Sequence, residues 1–119
     1  HLIIFLQNKE VRVIEREPLA GEFDETQSRK LLKSSHYSVI TSSTFVNGTA
    51  AKLISWGKHG KIMILGPGTP LCSGLFNEGI NYLSGFVIKK KREARIVVSE
   101  GGAVKDLKEV GKMVVLESN

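Results

Sequence analysis

The residues of this chain best placed to do chemistry together lie in Lys61 to Leu71, KIMILGPGTPL. Ile62 to Leu65 read as a short apolar strand. Gly66-Pro67-Gly68-Thr69-Pro70 follow, and a new apolar pattern opens at Leu71. A buried strand that ends in a glycine-rich turn and leads into a helix is how open α/β sheets build ligand crevices. Gly66 and Gly68 carry no Cβ, so the backbone there can come close to a guest. Unspent N–H groups in such a turn attract anions. The stretch therefore points to a small-molecule or anion site. A tight connector, whose glycines and prolines only end one element and start another, is the plainer account of the same residues.

What favours a site is that similar turns recur. Tyr37 to Ile40 form a strand followed by Thr41-Ser42-Ser43-Thr44. Asn47-Gly48-Thr49 then lead into a helix that carries Leu53, Ile54 and Trp56 and closes at Gly57 and Gly60. Tyr82 to Ile88 give another strand, interrupted at Ser84-Gly85. Strands alternating with helices at this spacing imply a parallel sheet with helices on both faces. In that architecture all turns leaving the strand carboxyl ends open on one rim. The candidate contacts are Ser43, Thr44, Asn47, Gly48 and Thr49 from the first turn. Gly66, Pro67, Gly68, Thr69 and Pro70 come from the second, and Ser84 and Gly85 from the third. Backbone amides at Gly48, Gly66 and Gly68 would join the side chains in holding a small polar or anionic ligand.

Other chemistries find less to work with. A soft-metal site needs several thiolates or imidazoles at ligand spacing. The chain offers Cys72, His1, His36 and His59, with no CxxC and no HxxxH. His36 and His59 each precede a strand, at the rim opposite Gly66, while Cys72 starts the helix after the turn. No metal site is expected from this chain alone. Ser42, Ser43, Thr44, Thr69 and Ser84 could be nucleophiles, but no histidine is placed to activate them. Ser73 lacks the leading glycine of a nucleophile elbow. Glu100 is the lone candidate acid or base at the predicted rim; capping the turn at Gly101-Gly102 is its structural alternative. GPGTPL has Leu71 at the third glycine place of a dinucleotide fingerprint, and no phosphate-loop lysine follows. A looser nucleotide crevice, as in methyl-donor enzymes, stays open, and no cofactor is assigned.

The totals bound the rest. With 119 residues, 41% hydrophobic and 24% charged, the chain is one globular domain. No apolar run approaches the roughly 18 residues that span a membrane. No secretory signal is legible in the chain, which begins at His1. A single cysteine rules out an internal disulfide and fits a reducing compartment, so the cytoplasm is expected. Of the net charge of +5, residues 89–95 hold +4: Lys89, Lys90, Lys91, Arg92 and Arg95 against Glu93. No aromatic residue interleaves this patch, which reads as a solvated helix start rather than a nucleic-acid surface.

The remaining elements complete the expectation. LIIFL at 2–6 is apolar without a usable period, and VRVIE alternates as a strand. Pro18 and Gly21 break the chain. Asp24 and Gln27 stand in capping-box positions ahead of a surface helix near 25–34. Cys72, Leu75, Phe76 and Gly79 fall on one face of a helix, with Cys72 as a small buried residue. The stretch 91–99 is ambiguous between strand and helix. Val104, Leu107 and Val110 mark a short helix ended by Gly111, and Met113 to Leu116 form the last strand.

At TSSTFVNGT (41–49), GPGTPL (66–71), LSG (83–85) and SEGG (99–102), in that order and spacing, the chain resembles one family. It is the family described as a "putative heavy-metal chelation" domain, otherwise a domain of unknown function. The resemblance runs from Val11 to Leu116. It implies a Rossmann-like three-layer sandwich with a mostly parallel sheet, and the crevice edge as the site; it supplies no reaction. Family members resemble two-part proteins, with a first domain similar to the N-terminal domain of enolase and then the Rossmann-like domain that this chain matches. That first domain is absent here. A strand also normally precedes the position of His1 in the family, with LIIFLQNKE aligned to a helix. The sheet then lacks its first strand unless LIIFL supplies it, and a helix over 2–6 is the expectation. A missing middle strand would leave open backbone groups that favour a partner chain or a homo-oligomer. Ser42 stands where members often have glycine, which narrows backbone approach. Three functions follow in order: a ligand-binding domain, an enzyme using Glu100 or a residue of the absent domain, and an interaction module.

Overall fold

Alternation decides the centre of the sheet. In YSVIT and KIMIL every second residue is buried, with Ser38, Ile40, Ile62 and Ile64 turned to one face. That period of two is the signature of a strand with one covered side. The structure, a computed structural model, describes residues 3–7, 10–14, 27–102 and 109–119. Its strands are β1 (Ile3–Gln7), β2 (Glu10–Ile14), β3 (Tyr37–Thr41), β4 (Lys61–Leu65), β5 (Tyr82–Ile88) and β6 (Gly111–Glu117). They form one sheet in the order β2-β1-β3-β4-β5-β6. The four strands β3 to β6 are mostly parallel: β3, β4 and β5 run together and β6 is antiparallel. The β1–β2 hairpin extends the sheet, antiparallel to β3.

Helix α1 (Ser28–Ser34) and helix α3 (Ala50–Gly57) cover the face that Ile40, Ile62, Ile64 and Leu83 present. In α3, Ala50, Leu53, Ile54 and Gly57 are buried at i, i+3, i+4 and i+7, one stripe of a helix. In α1 the buried stripe is Ser28, Leu31 and Leu32. A Cβ on Gly57 would lie 3.3 Å from the Leu32 side chain, so the glycine lets the two helices close on each other. Helix α2 (Ser43–Val46) is a single turn before α3. A 3-10 helix, Ser73–Glu78, carries Leu75 and Phe76 onto the same core. Helix α4 (Lys91–Ser99) packs Ala94 and Val97 against Phe86 and Val110. Phe86 lies on the opposite side of β5 from Leu83, so this small cluster is separate from the main core.

Several expectations are corrected. The described part of the LIIFL run is strand, not helix: Ile3–Gln7 pairs with β2 on one side and β3 on the other. An apolar run too short for several helical turns gains more from two neighbouring ladders. It also occupies the edge of β3 that would otherwise stand open. The 73–78 segment is 3-10 rather than α, bracketed by Pro70 and by Gly79 at a φ of 99°. Cys72, which precedes it, is exposed rather than buried. Strand β5 runs unbroken through Ser84-Gly85, because β6 pairs along its whole length. The ambiguous stretch 91–99 is helix. Helix α1 starts with Gln27 at its N-cap and no side-chain cap; Asp24 lies outside the described residues, as do Val104 and Leu107. Gly111 opens β6. Among the described residues no helix is long and apolar enough to cross a membrane.

Leu32 is fully buried where α1 meets α3 and the sheet. Leu32→Ala should cost about 2–5 kcal/mol in urea unfolding. Val46→Ala, at a site 91% exposed, should stay within about 0.5 kcal/mol of the parent.

Candidate ligand site at the carboxyl end of the sheet

The hydrogen-bond ladder does not stop where β4 ends. Ser42 N–H donates to Leu65 C=O at 2.9 Å, Gly66 N–H to Ser84 C=O at 3.1 Å, and Phe86 N–H to Pro67 C=O at 3.3 Å. The start of the turn is thus held between β3 and β5. Thr69 then closes the turn, donating both its N–H (3.2 Å) and its hydroxyl (2.8 Å) to Gly66 C=O. Gly66 has a φ of 149°, which L side chains rarely adopt, and a Cβ there would run into Ser42 Oγ. A Cβ on Gly68 would sit 3.8 Å from the same oxygen. A Cβ on Gly85 would lie 2.9 Å from Thr69 C=O and 3.1 Å from the Leu71 side chain. Ser42, Gly66, Gly68, Thr69, Ser84 and Gly85 therefore meet, and none of them is charged.

The first turn divides. Thr41 Oγ1 and Ser43 Oγ share a hydrogen bond of 2.8 Å, and the buried Thr44 donates its hydroxyl to Thr41 C=O. Asn47 Oδ1 accepts both the N–H and the hydroxyl of Thr49, an Asx turn that leads into α3. Thr44 and Gly48, with Phe45, Ile54 and Leu75, line a groove of about 510 Å³ between α3 and the 3-10 helix. That groove does not include residues 66–70.

The amides fare unequally. Gly66 N–H, expected to be available, is spent on Ser84. Thr69 N–H is likewise spent. Among the described residues Gly68 N–H has no acceptor. Pro67 and Pro70 have no N–H to give. Ser42, read from the sequence only as a nucleophile and as a departure from the family pattern, is the side chain nearest the turn. The signal for it was the parallel register: Thr41 pairs with Leu65, so the next residues also adjoin. Glu100 is the exposed C-cap of α4, about 13 Å of helix from the β5–α4 junction.

The soft-ligand residues are dispersed. His36 and His59 line a cleft at the amino end of the sheet, opposite the Gly66 turn, and His1 lies outside the described residues. Among the described residues no three His, Cys, Asp or Glu side chains gather as a metal would require.

Gly66→Ala should destabilise the protein by about 1–3 kcal/mol, since it combines a strained φ with the Ser42 contact. Adding Ser42→Ala should recover the steric part and leave the conformational part. Denaturant unfolding of the two single variants and the double variant measures that coupling. Additive losses would mean that the two residues do not touch.

Three comparisons place the chain. A search among curated proteins finds no match. Among solved structures, a DUF364-family protein of unknown function from Desulfitobacterium hafniense is similar, at 30% identity and a TM-score of 0.77; the match covers 88% of this chain and 43% of that one. A second DUF364-family protein of unknown function, from Pyrococcus horikoshii, shares the fold at 21% identity and a TM-score of 0.77, over 88% and 44% of the two chains. The chain thus spans less than half the length of either structure. The family model that matches it, "Putative heavy-metal chelation", extends over residues 4–117. The chain belongs to the DUF364 family.

Proposed function

We propose that the carboxyl end of β3, β4 and β5 holds a small polar or singly anionic ligand, within a Rossmann-like arrangement. The observation that carries this reading is the meeting of Ser42, Gly66, Gly68 and Thr69 over Gly85, with side chains absent where a guest would approach. The donors on offer are Gly68 N–H and the hydroxyl of Ser42. No lysine or arginine stands among these residues, so a multiply charged guest would lack countercharge here. The family's description suggests heavy-metal chelation, but the described donors of this chain do not supply a soft-metal set. Because the chain spans less than half of its structural relatives, we infer that the rest of the site comes from residues beyond it. The setting we infer from the single cysteine is a reducing one, the cytoplasm.

The test is a thermal-shift screen of small polar metabolites, each without and with zinc. A true ligand at 100 times its Kd stabilises the native state by about 2.7 kcal/mol. Ser42→Ala and Gly68→Ala, both sterically tolerable, should reduce that gain at least several-fold. A ligand whose gain survives both changes binds elsewhere, and the reading fails.

A further inference from the structure

The amino end of the sheet is built quite differently. A cleft of about 840 Å³ opens there, lined among others by His36, Lys58, His59, Lys61 and Asn81. Among the described residues, four of its lining side chains are basic or imidazole and none is Asp or Glu. The neighbouring Glu78 lines the groove between α3 and the 3-10 helix, which Lys58 also borders.

Two glycines assemble the walls. Gly60 lies so close to the carbonyls of Ser35 and His36 that no Cβ fits between them. This presses the Lys58-His59-Gly60 loop against the start of β3, and Lys61 N–H seals it by donating to His36 C=O at 2.8 Å. Gly79, with a φ of 99°, brings the end of the 3-10 helix against Lys58; a Cβ there would lie 2.9 Å from Lys58 Cβ. The loop after α3 and the end of the 3-10 helix are so held together, with Lys58 and His59 left exposed above the cleft.

Asn81 fixes the floor. Its Oδ1 accepts Ile62 N–H at 2.9 Å, its own N–H donates to Ile62 C=O at 2.9 Å, and its C=O accepts Ser118 N–H at 2.9 Å. The side-chain oxygen is thereby assigned, and the remaining Nδ2 is a positioned donor with no acceptor among the described residues. Half-buried Phe76 adds an apolar surface beside it.

Two lysines and a positioned neutral N–H donor around a cleft with no Asp or Glu among its described lining side chains suit a ligand with two or more negative charges. Lysine is a common phosphate binder as a point charge. We propose that this amino-end cleft binds a phosphate-bearing small molecule, with Lys58 and Lys61 supplying charge and Asn81 Nδ2 a fixed hydrogen bond. The apolar surface of Phe76 would take an organic portion of the same molecule. The site is independent of the one at the carboxyl end, and neither depends on the other being right.

Isothermal titration with pyrophosphate, and separately with a nucleoside diphosphate, tests this. Saturable binding is expected, tighter for the nucleoside diphosphate. The exposed double change Lys58→Gln/Lys61→Gln should weaken both at least about 5-fold, the scale of losing two charged contacts. His36→Gln/His59→Gln should weaken them less. The control Lys89→Gln/Lys90→Gln/Lys91→Gln, which removes more charge where β5 passes into α4, should change affinity less than about 2-fold if the cleft rather than net charge reads the phosphate. Absence of saturable pyrophosphate binding up to about 1 mM overturns the proposal. So does a loss that follows the α4 changes instead, or a preference for a single-stranded oligonucleotide that the α4 changes abolish.

Discussion

Beyond Leu65 the chain leaves β4 but not the sheet. Gly66 N–H reaches Ser84 and Phe86 N–H reaches Pro67, so the turn inherits the ladder of the strands beside it. Everything at the carboxyl end follows from that clamp. It fixes the left-handed Gly66, sets Ser42 against it, and lays Thr69 C=O over Gly85. Each such bond contributes only about 1 kcal/mol net; its importance is positional. The larger share of stability comes from the buried Ile40, Ile62, Ile64 and Leu83 beneath α1 and α3. The core holds the strands, and the strands hold the turn.

The two ends of the parallel strands then differ in chemistry. In the turn at the carboxyl end, Ser42, Gly66, Gly68, Thr69 and Gly85 leave bare backbone and carry no charge. At the amino end, backbone groups are satisfied among themselves, as Lys61 with His36 and Asn81 with Ile62. Charge comes there from the Lys58-His59 loop and Lys61. One sheet thus offers a neutral lip and a basic cleft on opposite edges. The basic α4 patch is a third feature, and its exposed Ile96 and Val98 keep it distinct from both.

The parts of the fold legible in the sequence were those whose pattern matched their burial. Strands β3 and β4 alternate, and α3 repeats its apolar residues at helical spacing, so both were read near their true bounds. LIIFL offers no period, and the strand state of Ile3–Gln7 rests on pairing with β2 on one side and with β3, some thirty residues on, on the other. Ser84-Gly85 reads as punctuation, yet Gly85 is needed inside a continuous strand because Thr69 and Leu71 approach it. Cys72 falls on an apparent helical stripe, but it stands before the 3-10 helix in an extended conformation and is exposed. In the candidate site, the glycines were visible as types. That Gly66 N–H is already spent was not visible, since its acceptor belongs to a different strand. Ser42 could be found only from the register between β3 and β4.

Amide hydrogen exchange in the native protein tests the clamp most directly, because protection reports which N–H groups are bonded. The account predicts that Gly66, Thr69 and Phe86 exchange slowly, together with the core of β5, while Gly68 within the same turn exchanges fast. If Gly66 and Phe86 exchange as fast as Gly68, the turn is not fastened to β5. The carboxyl end would then have no fixed lip to present to a ligand.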